Sequence, residues 1–348
     1  MQEKKYVFSA EAKAKKRAVV VIFSLFLLFL VVFFLGVQTG TIHLPFQRVI
    51  PALLNQGTVK ESFLVFQLRM PRIIISVLVG AGLAVSGCIL QSVTRNPMAD
   101  PGILGINAGA GLVVLVYIAG FAKNSPSPAG MSILSWVGSI GAAFTIYLLA
   151  RNGNKGLSST RLLLTGIALN FGIQAITTII TLSLNPQEYQ TYAYWMAGSL
   201  WGVTWPYVVT LLPLVTVSII IVLSQASTLD VLPLGDSMAA SLGVSVRKRQ
   251  GIAILFSVIL AGSCVAAGGN IGFVGLLSTH ISRRLVGAVH KRLLPVTALV
   301  GGLLVLIADT IGRSMFLPSE MPTGIVVSVI GAPYFLYLLL RTAKREGS

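Results

Sequence analysis

Ten apolar runs, each about as long as a bilayer is thick, leave this chain few alternatives. They lie at approximately 18–36, 73–92, 103–121, 131–150, 161–184, 205–224, 251–268, 271–288, 294–312 and 322–340. A hydrocarbon core of about 30 Å is crossed by roughly 20 residues of helix. Only 10% of the 348 residues are charged, against about 25% in soluble domains. Too little polar surface remains for a cytosolic enzyme, a disordered chain or a secreted disulfide scaffold. The reading is an all-α polytopic membrane protein of about ten transmembrane helices.

Charge orients it. Taking the N-terminus as cytoplasmic, the outside segments hold Arg48, Lys60, Arg69, Arg72, Lys123 and Arg313, and the other 20 of the 26 Lys and Arg fall inside. Positive charge is retained on the cytoplasmic side during insertion, so both termini are expected there. This accounts for the net charge of +16 without nucleic acid. Residues 1–17 read as a basic cytoplasmic tail, 18–340 as the membrane domain, and 341–348 as a second cytoplasmic tail. The first run is too long for a signal-peptide core and no A-x-A site follows, so it reads as a retained helix.

Four segments do not look like plain lipid-facing helix. Arg95 to Gly105 carries Asn96, Pro97, Asp100 and Pro101 where the second span should end. That density of breakers fits a simple turn or a structured re-entrant turn, and irregular backbone at membrane depth must be buried in protein or line a watery path. The Gly268-Gly269-Asn270 junction reads either as a turn between two spans or as a break in one long helix. The cytoplasmic loop at about 229–250 contains Gly235, Asp236, Met238, Ala239, Leu242 and Gly243. Asp236 suits a helix cap, Gly243 suits a stop, and Met238 and Leu242 share a face at i, i+4. So short a helix needs support, from its own bundle or from a cytoplasmic partner. Finally, Asp309 lies near the outer end of the ninth span, where a carboxylate must pair or reach water. Arg313, its i+4 neighbour, is one partner. Arg69, Arg72 and Arg313 are also cations on the face that normally avoids them, which fits docking to partner carboxylates through the guanidinium fork or anchoring to lipid headgroups.

Several chemistries have no footing. Cys88 and Cys264 lie far apart in apolar runs, and His43, His280 and His290 are scattered, so no metal site is expected. There is no phosphate-binding G-x-x-x-x-G-K-[ST] loop and no chain of intramembrane carboxylates. A transporter of this kind needs energy from another polypeptide.

The blocks RMPRIIISVLVGAGLAVSGCILQSVTRNPMADPGILGINAGAG, LLLTGIALN, YWMAGSLWGVTW, LPLGDSMAASLGVSV, GGNIGFVGLLSTHISRRLVGAVHKRLLPVTALVGGLLVLIADTIGR and SEMPTGIVVSVIGAPYFLYLLL resemble, in order, the permease subunits of ABC importers for iron–siderophores, haem and cobalamin (the FecCD family). The resemblance runs from about residue 60 to 340. It implies a type II importer bundle of ten helices, a second permease (identical or homologous), two cytoplasmic ABC ATPases and an external substrate-binding protein. It implies that 235–244 is the coupling helix, that Arg69, Arg72 and Arg313 dock the binding protein, and that the fifth span lines the pathway. Asn170 and Gln174 are polar at i, i+4 on that span, as pathway residues or as helix–helix hydrogen bonders. ATP and magnesium would be used by the partner, with no cofactor bound here. Two departures stand out: Asn270 replaces the usual proline of Gly-Pro-Ile-Gly-Phe, and Thr279 replaces the proline before His280. The expected function is import of ferric siderophores across the cell membrane. The alternatives are cobalamin or haem as cargo, a secondary transporter working alone, and a membrane scaffold or receptor.

Overall fold

The computed structural model describes residues 2–40, 42–54, 56–121, 127–151, 158–315 and 319–346. Lys123 and Lys155, counted in the charge tally, lie outside the described residues. Among the described residues every regular element is a helix. Each expected span has one: α1 (Gln2–Gln38), then, after the short α2 (Phe46–Leu53) and α3 (Val59–Phe63), α4 (Met70–Thr94), α5 (Ile106–Gly120), α6 (Pro128–Ala150) and α7 (Ser159–Thr181). Beyond α8 (Pro186–Met196) come α9 (Trp205–Ser224), the short α10 (Ala226–Val231) and α11 (Asp236–Ser241), then α12 (Val246–Gly268), α13 (Val274–Val286), α14 (His290–Ser314) and α15 (Thr323–Glu346). Eight helices among the described residues are long and apolar enough to cross a membrane. The α5 and α13 helices, with 15 and 13 residues, are shorter because irregular backbone precedes each of them.

Three boundaries differ from expectation. The basic segment from residue 2 to 17 continues α1 as helix instead of forming a separate tail, and Arg17 donates to the Arg284 carbonyl at 3.0 Å. The second span begins at Val59 rather than near 73. Thr58 and Glu61 form a capping box there, which satisfies two orphan N–H groups. A π-helical stretch, Leu64–Arg69, then carries the helix into α4. The wider turn frees backbone acceptors, and the Trp205 indole donates to the Phe66 carbonyl at 2.8 Å. At the other end, α15 runs on to Glu346.

The α4 helix is the axis of the bundle, buried on nearly every face. Glycine lets its neighbours approach to backbone contact, as small residues do in membrane bundles. A Cβ on Gly80 would lie 2.1 Å from the Gly301 carbonyl oxygen of α14, and one on Gly87 would lie 2.5 Å from Gly275 Cα of α13. By contrast α7 stands at the periphery with Leu164, Phe171 and Ile179 more than 60% exposed. That apolar face awaits lipid or another chain.

Candidate functional site

Three places along this bundle concentrate polar chemistry. The external end holds the arginines. Arg72 Nε lies 3.0 and 3.2 Å from the two Asp309 oxygens, and its Nη1 lies 2.7 Å from Glu320 Oε2. Arg313 Nε is 3.1 Å from the second Asp309 oxygen, and Thr323 Oγ1 donates to the first at 3.0 Å. Arg69 donates to the carbonyls of Val37, Gln38 and Ile42. The first two belong to the last turn of α1, whose carbonyls lack helical partners and attract cations. Arg69, Arg72 and Arg313 are 5%, 9% and 3% exposed. All three guanidinium groups are engaged within the chain. For Arg72 and Arg313 the cause is Asp309, 1% exposed, because a buried carboxylate without partners is far costlier than one that is paired; Arg69 is held by the α1 carbonyls instead. Two arginines against two carboxylates balance the charge and tie α4 and α14 to the loop leading into α15.

The middle of the bundle is broken on two sides. The α4 helix ends at Arg95 in the left-handed region (φ 54°). Asn96 Oδ1 then accepts from the Met98 N–H at 2.9 Å. A 3-10 turn, Pro101–Leu104, follows, with Asp100 Oδ1 accepting from the Gly102 N–H at 3.0 Å. Asp100 also lies beside Gly275, the residue packed on Gly87. Gly87 is two turns above the end of α4, so the segment folds back about 10 Å into the bundle, at 1.5 Å of rise per residue. Facing it, α12 stops at Gly268 and α13 starts only at Val274. The Gly268 junction is therefore a break between two helices. Phe273 takes φ 66° there, a left-handed geometry uncommon outside glycine.

Between the two breaks lies a cavity of about 240 Å³, lined by Asn107, Asn170, Gln174, Thr177 and Asn270 with Tyr192 and Met196 of α8. Asn107 Nδ2 donates to Asn270 Oδ1 at 2.6 Å, and Asn170 Nδ2 donates to the Gly102 carbonyl at 3.1 Å. Burial pushes the Tyr192 phenol up to about 12, so it stays neutral, and no lining residue carries a charge. The structure brings both sequence candidates, Asn170 and Gln174, to one cavity. Sequence reasoning missed Asn107 and Thr177. Asn270 was visible only as an asparagine where a proline was expected.

At the end of the bundle opposite the arginines, the loop after α9 folds as α10, a 3-10 turn (Leu232–Leu234) and α11. Gly235 precedes α11 at φ 107° with no side-chain cap. Asp236 is therefore not the cap: its carboxylate is taken by Arg95, which also donates from Nε to the Leu232 carbonyl at 3.0 Å. The stop follows expectation. Gly243 (φ 80°) donates to Ala240, and Val244 to Ala239, the pairing of a Schellman motif. Ala239 is buried, while Leu234, Met238 and Leu242 are 60%, 53% and 58% exposed. Behind this apolar patch, Asp230 of α10 accepts from the backbone N–H of His290 at 2.8 Å and meets its Nδ1 at 2.7 Å. The other ring nitrogen lies 2.7 Å from Ser92 Oγ of α4. The segment is thus clamped to α4 and α14 together. Among the described residues no group of three or more His, Cys, Asp or Glu side chains could hold a metal ion.

Comparison with known proteins gives this geometry its context. Residues 27–341 match the model of the FecCD transport family. The chain is 43% identical over 321 residues to the iron(3+)-hydroxamate import system permease protein FhuG of Bacillus subtilis, covering 91% of this chain and 95% of that one. It is 39% identical to the hemin transport system permease protein HmuU of Yersinia pestis, covering 92% and 95%. It is 36% identical to the Fe(3+) dicitrate transport system permease protein FecD of Escherichia coli, covering 88% and 94%. A solved structure described as an inward-facing metal-chelate type ABC transporter superposes with a TM-score of 0.80 at 29% identity, over 93% of this chain and 99% of that one. Family match and relatives both span nearly the whole bundle, and the chain therefore belongs to the FecCD transport family as a multi-pass permease of an ABC importer.

Proposed function

We propose that the protein forms, with a second permease, the pathway by which a ferric siderophore crosses the cytoplasmic membrane, with both of its termini in the cytoplasm. Two partner ATPases use ATP and magnesium and push on α11. The observation that carries this reading is the exposed apolar patch of Leu234, Met238 and Leu242, mounted on a segment fastened to the core helices. Such a patch on a cytoplasmic face suits a partner groove, and the fastening converts a push into movement of the wall. The expected cargo is of hydroxamate type. The amide-lined cavity offers donors and acceptors without charge, which suits a neutral chelate better than a polyanionic one, and the relative at 43% identity is named for hydroxamate import.

An external binding protein delivers the cargo. The arginine cluster supports docking by exchange: an incoming carboxylate takes Arg72 from Glu320, which holds it at the outer edge of the cluster. The cargo assignment is tested by uptake of radiolabelled iron in cells lacking this chain and then complemented with it. Restored uptake of a ferric hydroxamate, with ferric citrate and haemin unchanged, is the expected result. Restoration of citrate or haemin alone overturns the hydroxamate assignment.

A further inference from the structure

The cytoplasmic half of the bundle contains a second polar feature, away from the cavity and the arginines. Cys88 of α4 is fully buried between Gly87, which packs on Gly275 of α13, and Ser92, which reaches His290 of α14, and Thr279 of α13 and Thr297 of α14 are its polar neighbours. Three helices therefore meet there on polar side chains. Helical spacing extends the meeting toward the cytoplasm. Gln91 and Ser92 lie one turn below Cys88, and Ser282 and Arg283 one turn below Thr279. His290 lies two turns below Thr297 on the same face, where it joins Ser92 and Asp230.

Along this line Gln91 Nε2, Ser282 Oγ and Arg283 Nε are buried without a hydrogen-bond partner in the protein, and Thr279 Oγ1 and Thr297 Oγ1 have none beyond the weak Cys88 thiol near them. Several helical hydroxyls elsewhere satisfy themselves, although Ser135 of α6 and Ser263 of α12 do not. Thr94, Thr310, Ser314 and Ser328 each donate to a carbonyl one turn back. Those of Thr279, Ser282 and Thr297 make no such bond. Leaving such groups dry is costly, because each forfeits the hydrogen bonds that water gives it in the unfolded chain. A buried water typically serves two to four such groups.

We propose that α4, α13 and α14 enclose a hydrated seam, a built site for ordered water that runs from the His290–Asp230 contact to Cys88. Its consequence is mechanical. The start of α13 is fixed by the Gly87–Gly275 backbone contact, whereas its cytoplasmic half rests on water, whose hydrogen bonds re-form readily as side chains shift. The α13 helix can pivot on that contact while the dry Gly80–Gly301 junction of α4 and α14 stays fixed.

The chain carries its own control. Cys264 is equally buried but faces the Leu78 carbonyl and apolar side chains. Exchange of the two S–H groups in D₂O, followed by infrared spectroscopy on the full chain in lipid nanodiscs, reads hydration directly. The variants Cys88→Ala and Cys264→Ala assign the bands. The seam predicts that Cys88 exchanges at least ten-fold faster than Cys264. Equal rates, or a slower Cys88, would overturn it. The sign of a stability change gives a second reading that needs neither cysteine variant. In a hydrated seam Thr279→Val lowers the melting temperature because it strips a water of its partner. In a dry seam it raises the melting temperature by removing an orphan hydroxyl, and that result also overturns the proposal. Neither measurement uses transport, so each can fail while the importer reading stands.

Discussion

Asp230 and His290 share two hydrogen bonds, one to the ring and one to the backbone N–H that opens α14. The pair joins the segment proposed to meet the ATPases to a core helix at the point where that helix begins. Because Ser92 takes the second ring nitrogen, α4 is held by the same side chain. Any force on α11 therefore reaches the two most deeply packed helices without passing through a flexible linker.

Substituting His290→Ala should separate ATP hydrolysis from transport. Removing the ring contact to Asp230 while the backbone N–H contact remains costs about 1–3 kcal/mol, so the proposed coupling segment loosens while the bundle still inserts. Uptake should fall about ten-fold, with ATPase activity in the assembled complex near its original rate. Parallel uptake and ATPase assays in proteoliposomes check this, and a matched fall in both would count against the linkage.

At the membrane centre, Gly80→Ala and Gly301→Ala are each expected to destabilise by about 2–3 kcal/mol, as overpacking of a close core does. The added Cβ meets backbone, which cannot rotate away, at 2.1 Å or 2.4 Å. Gly141 has open space around its Cβ direction, and Gly141→Ala should leave stability within about 0.5 kcal/mol. Thermal unfolding in detergent distinguishes the two outcomes.

Charging the apolar patch with Met238→Glu and Leu242→Glu should abolish co-purification of the partner ATPase. Both side chains are more than half exposed, so folding and insertion should be unaffected. Retained co-purification would show that the ATPase grips another surface.

Removing the carboxylate that competes for Arg72 should strengthen docking. The variant Glu320→Gln is expected to bind the external binding protein several-fold more tightly, since Arg72 then lacks one of its two anionic partners. Unchanged affinity by surface plasmon resonance would mean that Arg72 is not the contact and that the arginines serve only to close the external end.

The spans were legible because lipid imposes their length: a helix must satisfy its own backbone for about 20 residues, and the ten runs show it. Direction within the bundle was not legible. The positive-inside rule marks Arg69, Arg72 and Arg313 as exceptional but says nothing of whether they point outward or inward. Asp309 decides that for Arg72 and Arg313, and the carbonyls of Val37, Gln38 and Ile42 decide it for Arg69. Asn170 and Gln174 were found because they share a helical face, whereas Asn107 and Asn270 come from two interrupted segments with no common period. The shortness of α13 was hidden because its apolar run continues back through the break at residues 269–273, and hydropathy does not register where a backbone leaves the helix. Asp236 illustrates the reverse case, a side chain suited to capping that tertiary contact with Arg95 recruits elsewhere.

The account rests on a wall moved from outside itself, and one reconstitution tests it most directly. The purified permease is placed in liposomes with its binding protein and loaded siderophore, with and without the partner ATPases and ATP. Uptake against a gradient only when the ATPases and ATP are both present is the predicted result. Concentrative uptake by the permease without them would contradict it.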